Sequence, residues 1–217
     1  DEAFARTVGG AGAADGALAA SGLSPQVIHV STCYVGGIAK GLRPEGPVDH
    51  VVDWRAEVAA AAVARAEAEA ASRTPERLQS FIDAATRGHG KQGPKSVARA
   101  SEEARLAWIE QRLVELGRTR ARSVGWTDVY TFSKALGERV AEQEWAGAGQ
   151  RLSIVRPSII ESSLRHPAPG WIDGFKVADP LIMAYAKGQL PEFPGLPDSV
   201  LDVIPVDMVV NVILALV

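Results

Sequence analysis

Residues 27–37 read VIHVSTCYVGG, a β-branched run that ends in two glycines. Such a run is typical of a strand that is buried on both faces, as in the centre of a parallel sheet. We predict a central parallel strand over residues 27–35, with the hydroxyl side chains Ser31 and Thr32 near its end. Because ligands of open α/β sheets bind beyond the carboxyl ends of the strands, both hydroxyls are candidates for a functional site.

Further along the chain the pattern alternates between strand and helix. A helix is predicted to open at Asp128 and to run to about Trp145, and residues 152–155 predict a second buried strand. Arg156-Pro157 ends that strand, because proline cannot donate to a ladder and restricts the residue before it. Residues 200–204 predict a further short strand, and Asp207 is predicted to be the N-cap of a final helix that starts at Met208. The order indicates an α/β fold with a parallel sheet.

Between these parts lies a helical section without a strand, residues 53–123. An Ala/Glu-rich stretch predicts one helix to about Ser72, and Thr74-Pro75 predicts the start of another. Ser101 is predicted to cap a third helix, with one apolar face. That face would consist of Leu106, Ile109, Leu113 and Leu116. We therefore expect a helical insertion in the α/β domain.

The composition narrows the classes of function. The chain has 217 residues, 47% of them hydrophobic, which is enough to bury the core of a single domain. Its formal net charge of −3 argues against nucleic-acid binding, and no apolar run reaches the length of a transmembrane segment. The lone Cys33 predicts a buried free thiol in a reducing compartment, which favours the cytoplasm. The four histidines have no metal-ligand spacing, so no metal site is expected.

The segment Tyr130-Thr131-Phe132-Ser133-Lys134 places a phenol and an ammonium one helical turn apart, about 6 Å along the axis. A tyrosine keeps its proton up to a pKa of about 10, and a neighbouring positive charge favours the phenolate. A lysine at this spacing therefore predicts proton transfer by the tyrosine. The same spacing arises by chance on amphipathic helices. The upstream hydroxyls Ser31 and Thr32 make the catalytic interpretation more specific, since they can donate to the same carbonyl oxygen.

Together these residues resemble the short-chain dehydrogenase/reductases, which combine a strand-end Ser or Thr with Tyr-x-x-x-Lys on the next core helix. The resemblance is more specific to the fatty acyl-CoA reductase branch, and five blocks carry it. The blocks are residues 30–35, 130–138, 155–162, 169–173 and 204–211. The Pro-Gly-Trp-Ile-Asp block at residues 169–173 is the one least expected in a sugar epimerase of the same superfamily.

The resemblance implies roles for individual residues. It implies that Tyr130 is the proton donor, that Lys134 holds the ribose of the cofactor, and that Thr32 orients the carbonyl, with Ser31 as the alternative hydroxyl. It also implies that Arg156, Pro157 and Ser158 lie at the nicotinamide. The cofactor implied is NADPH, with NADH not excluded.

The resemblance also implies how the chain is organised. Residues 1–217 are expected to be the C-terminal part of one NAD(P)-binding reductase domain, a Rossmann-like sheet that lacks its N-terminal strands. Residues 53–123 would be its insertion and residues 157–217 its substrate-binding region. The sequence has no Gly-rich phosphate loop after a strand, and Gly9-Gly10-Ala11-Gly12 follows no β-branched run. We therefore expect the chain alone to be catalytically inactive.

Three functions remain open at this point. The first is reduction of a long-chain fatty acyl-CoA to the aldehyde or the primary alcohol. The second is a thioester reductase domain that a carrier protein serves, as in carboxylic acid reductases and peptide synthetases. The third is a non-catalytic fragment or interaction module. Peripheral membrane association and homo-oligomer formation are also left open.

Overall fold

The computed structural model describes residues 25–39, 41, 44–174, 179–192 and 201–217. The glycines at residues 9–12 lie outside these ranges. The strands within them are β1 (Val27–Val30), β2 (Leu152–Val155), β3 (Ile159–Glu161) and β4 (Val203–Pro205). The α-helices are α1 (Trp54–Ser72), α2 (Pro75–His89), α3 (Pro94–Ser123), α4 (Val129–Val140), α5 (Asp179–Ala186) and α6 (Val206–Ala215).

The strands pair in parallel, as the sequence predicts. β1 pairs with β2, with Val27 opposite Leu152 and Val30 opposite Val155. β3 pairs with β4 in the same sense. The first ladder continues one residue past β1, since the Ser31 amide donates to the Val155 carbonyl at 2.8 Å. The chain is therefore an α/β protein with parallel strand pairs.

The strand predicted over residues 27–35 is only half right. β1 ends at Val30, and a 3₁₀ turn follows at Cys33–Gly36. Thr32 starts this turn, because its side chain accepts from the Tyr34 amide at 3.3 Å. Two expectations fail as a result: Cys33 is exposed rather than buried, and Val30 is 39% exposed.

The helical section contains three helices, but the third starts earlier than predicted. α3 begins at Pro94, directly after Gly93 with its φ of 92°, and Ser101 lies inside it. Proline is favoured at the first position of a helix, but it also interrupts helical patterns. The sequence alone therefore did not show that α3 starts at Pro94. Ile109 and Leu113 are buried as expected, whereas Leu106 is 51% exposed.

α3 packs on α1 through a buried arginine, although the apolar pattern of the sequence predicted a leucine on the buried face of α3. Arg105 is 3% exposed, and its guanidinium donates to Glu69 at 2.8 Å and to Ser72 at 2.9 Å, both on α1. It also pairs with Glu102 one turn earlier on α3. The partners compensate the buried charge, so the arginine joins α1 to α3.

The main hydrophobic core surrounds α4 and includes the contacts between the two ends of the helical insertion. Leu136 is fully buried there, and the Trp126 indole donates to the Val35 carbonyl at 2.9 Å. The Ile38 amide donates to the Gly125 carbonyl at 2.9 Å. Gly37 has a φ of 68°, and a Cβ there would lie 2.3 Å from the Gly125 oxygen. This close approach requires a residue without a side chain.

Asp207 does not cap the last helix as predicted. α6 begins at Val206, two residues before the predicted start at Met208, so Asp207 lies inside the helix. The Asp207 carboxylate instead accepts three backbone amides of a distant loop, those of Leu164 at 2.9 Å, Arg165 at 2.9 Å and His166 at 3.1 Å. These bonds, led by that of Leu164, lower the pKa of Asp207 to about 2. The Asp207 side chain thus binds the loop at residues 164–166 to α6.

The Asp207 contacts predict a change in acid stability. A carboxyl whose pKa is lowered by folding stabilises the protein above its ordinary pKa of 3.8, and the contribution disappears as the pH falls towards 2. We expect Asp207→Asn to lower the urea midpoint at pH 7 and to flatten its fall between pH 5 and pH 2.5. Asp173→Asn, at an exposed carboxylate, is the control. An equally steep fall in Asp207→Asn and wild type would contradict the prediction.

Candidate active site

Tyr130 and Lys134 occupy successive turns of α4 on its solvent side. The helix starts where predicted, because the Asp128 carboxylate accepts from the Thr131 amide at 2.8 Å. Phe132 and Leu136 are buried on the opposite side and fix the rotation of the helix. Tyr130 is left 51% exposed, so its hydroxyl is accessible to a substrate.

Lys134 connects this helix to the carboxyl end of β1. Its ammonium donates to the Val30 carbonyl at 3.2 Å and lies 5.8 Å from the centre of the Tyr130 ring. Val30 directly precedes Ser31 and Thr32 in the chain. Lys134 therefore contacts the residue that directly precedes the two predicted hydroxyls, at the carboxyl end of β1.

The two hydroxyls have different environments, although both residues are buried. Thr32 Oγ1 accepts from the Tyr34 amide and retains its proton for donation. Ser31 Oγ is buried without a hydrogen-bond partner among the described residues. Buried polar atoms are rarely left unpaired, so Ser31 is expected to have a partner that the described residues do not supply.

The electrostatics of Tyr130 differ from the expectation based on spacing. Burial raises the pKa of Tyr130, and the Asp128 carboxylate raises it further. Burial and the Asp128 carboxylate thus outweigh the lowering expected from Lys134, whose ammonium donates to the Val30 carbonyl. The phenol therefore keeps its proton near neutrality, which is the state that a proton donor requires.

The segment after β2 is held by contacts that sequence reasoning missed. Arg156 donates to both carboxylate oxygens of Glu138, at 2.9 Å and 2.7 Å, and Glu138 is 1% exposed. The Pro157 carbonyl accepts from the Cys33 amide at 3.0 Å. The Arg156 side chain is thus committed to α4, and the segment can meet a ligand through its backbone and Ser158. The signal available in the sequence was a glutamate one turn after Lys134, on the buried face of a helix.

The donors at this edge suit a nicotinamide nucleotide. The Lys134 ammonium can donate to hydroxyl groups, the Tyr130 phenol is half exposed and carries a proton, and Ser31 has a buried hydroxyl without a partner among the described residues. Within the described ranges, no group of three or more His, Cys, Asp or Glu side chains is placed to hold a metal ion. In the same ranges, none of the helices combines the length and hydropathy of a membrane span.

Comparison with known proteins places the chain in a family. The family model described as "Male sterility protein" matches residues 13–213. "Fatty acyl-CoA reductase 2, chloroplastic" of Arabidopsis thaliana is 47% identical over 105 residues, which cover 48% of this chain and 17% of that protein. "Probable fatty acyl-CoA reductase 5" of the same plant is 36% identical over 187 residues, 85% of this chain and 32% of the relative.

The similarity extends beyond plants. "Fatty acyl-CoA reductase 2" of Homo sapiens is 39% identical over 111 residues, 51% of this chain and 21% of that protein. The chain therefore spans a third or less of the length of these relatives. The matched segment of the family model contains β1, α4, β2 and the Tyr130–Lys134 pair. The chain belongs to the male sterility protein family, in the fatty acyl-CoA reductase branch of the extended short-chain dehydrogenase/reductases.

Proposed function

We propose that the protein reduces long-chain fatty acyl-CoA thioesters with NADPH, to the aldehyde or onward to the primary alcohol. The observation that carries the proposal is the contact of Lys134, one helical turn from Tyr130, with the Val30 carbonyl at the end of β1, next to Ser31 and Thr32. The names of the relatives supply the substrate class, and one of them is "Alcohol-forming fatty acyl-CoA reductase" of Simmondsia chinensis.

The chemistry proposed for the site uses a proton donor and an orienting hydroxyl. A bound nicotinamide would supply the hydride that reduces the thioester carbonyl carbon. Tyr130 gives its phenolic proton to the carbonyl oxygen, while the Thr32 hydroxyl donates to the same oxygen and orients it. The resulting hemithioacetal loses its hydroxyl proton as the carbon–sulfur bond breaks, and the CoA thiolate takes up that proton. Each carbonyl reduction consumes one hydride and one proton.

The remaining roles complete the proposed site. Lys134 holds the ribose, and Ser158 with the Pro157 backbone borders the nicotinamide. We propose that residues 1–217 form the C-terminal part of one Rossmann-like reductase domain, with residues 53–123 as an insertion and residues 157–217 at the substrate. The exposed, unbridged thiol of Cys33 suits a reducing compartment, and we propose the cytoplasm.

The test is a reductase assay on the full-length protein. Palmitoyl-CoA and palmitoyl groups on a carrier protein are offered with NADPH or NADH, and the products are measured by gas chromatography. We expect hexadecanal or hexadecanol from palmitoyl-CoA, with NADPH the better donor. Product from the carrier protein alone would replace the proposal with the carrier-dependent function. No product with any combination would overturn the reductase proposal.

A further inference from the structure

Two unpaired polar atoms lie two residues apart on the strand that Lys134 contacts. His29 Nε2 and Ser31 Oγ are both buried, and neither has a hydrogen-bond partner in the part of the chain that the structure describes. Side chains alternate along an extended strand, and the ladder continues through Ser31, so these two project from the same face of β1. Leaving either atom unpaired in the interior costs free energy.

Lys134 lies beside the same short segment. Its one described hydrogen bond goes to the carbonyl of Val30, which is the residue between His29 and Ser31. An ammonium group has three N–H donors, so this bond leaves two for other acceptors. Lys134 therefore contacts the residue between the two that carry the unpaired atoms, and it has donors left for other acceptors.

His29 is an acceptor at neutral pH. The groups whose charges act on it are Lys134 and Glu138, both on α4, and the neighbouring strand presents the apolar Ile154 beside it. Burial lowers the pKa of His29, and the Lys134 charge lowers it further. A neutral imidazole offers one nitrogen as an acceptor.

We propose that His29 and Ser31 are positioning residues for Lys134, acting through one bound water molecule that the three side chains share. The Lys134 ammonium donates to the water, which donates to His29 Nε2 and to Ser31 Oγ. Three polar partners are the usual number for a buried water. The water and the Val30 carbonyl together hold the ammonium at the Tyr130 phenol. The catalytic consequence rests on the proposed reductase function, whereas the water site does not.

The catalytic test compares three variants of the full-length protein by the pH profile of kcat/KM. His29→Phe keeps a ring of similar size without nitrogen, and we expect a roughly tenfold loss of kcat/KM. We also expect its alkaline limb, which reports loss of the Tyr130 proton, to move to higher pH, because an ammonium that is held less firmly beside the phenol favours the phenolate less. His29→Gln, which retains an acceptor, should restore most of both. His50→Phe removes another half-buried histidine, packed on Trp126, and should leave the limb in place.

If the alkaline limb of the kcat/KM profile of folded His29→Phe lay at the wild-type pH, the proposal would be overturned. The second measurement needs no activity: a crystal structure of the wild-type protein that resolves ordered water. We expect a water within hydrogen-bonding distance of His29 Nε2, Ser31 Oγ and Lys134 Nζ. A direct side-chain contact in its place, or a dry site, overturns the inference. If the wild type reduces no thioester while the water is present, the reductase function alone has failed.

Discussion

Replacing Tyr130 by phenylalanine is expected to lower kcat for acyl-thioester reduction by about a thousandfold, with little change in KM. The variant removes only the hydroxyl that gives a proton to the carbonyl oxygen, and general acid catalysis contributes about 10² to 10⁴ in rate. Tyr130 is half exposed, so losing its oxygen leaves the core intact. The measurement is steady-state kinetics of the full-length protein with palmitoyl-CoA and NADPH.

The matched control is Tyr34→Phe. Tyr34 is a second partly exposed tyrosine, in the 3₁₀ turn after β1, and no role in proton transfer is proposed for it. We expect the Tyr34 variant to keep wild-type kcat. Equal losses in both variants would show that the effect is not the loss of a specific acid, and unchanged turnover in Tyr130→Phe would remove that residue from the mechanism.

The largest effect on stability is expected at Glu138. Glu138→Leu leaves the Arg156 guanidinium without the carboxylate that binds it through two hydrogen bonds. Breaking a buried pair by removing one partner costs about 3 to 5 kcal/mol, because the remaining charge stays buried and uncompensated. We expect the free energy of unfolding to fall by about 3 kcal/mol in urea titrations, since the Arg156 side chain is 21% exposed and keeps some contact with water.

Two controls separate this effect from ordinary ion pairing. Glu103→Leu breaks an exposed pair with Arg99, whose closest atoms are 3.7 Å apart, and should change stability by less than about 0.5 kcal/mol. The double variant Glu138→Leu/Arg156→Met removes both charges and should recover much of the loss. If Glu138→Leu cost no more than Glu103→Leu, the pair would not be a buried one in solution.

The parts of the fold that local sequence determines were predictable. The Asp128 N-cap and Pro157 set the start of α4 and the end of β2, because capping and the missing proline N–H act within a few residues. The Tyr130–Lys134 spacing likewise follows from helix geometry alone. These local signals were enough to identify the edge of the sheet at which the candidate site lies.

The parts that depend on distant residues were not predictable from single stretches. The pairing of Glu138 with Arg156 joins a helix to the following strand, and Asp207 binds a loop far along the chain. Nothing in the apolar pattern of α3 predicts a buried Arg105, since its partners come largely from α1. The unpaired His29 and Ser31 atoms are visible only when burial is known.

The hydrogen bond from the Ile38 amide to the Gly125 carbonyl has a consequence for how the insertion can change during evolution. The chain leaves the core at Ile38, passes through α1, α2 and α3, and returns to the same point at Gly125. Segments whose ends meet on a rigid base are the places where chains accept insertions and deletions. α2 lies in the middle of this insertion, where it packs against α1 and α3. The insertion can therefore change in length during evolution while Tyr130 and Lys134, which follow Gly125 in the chain, keep their place on α4.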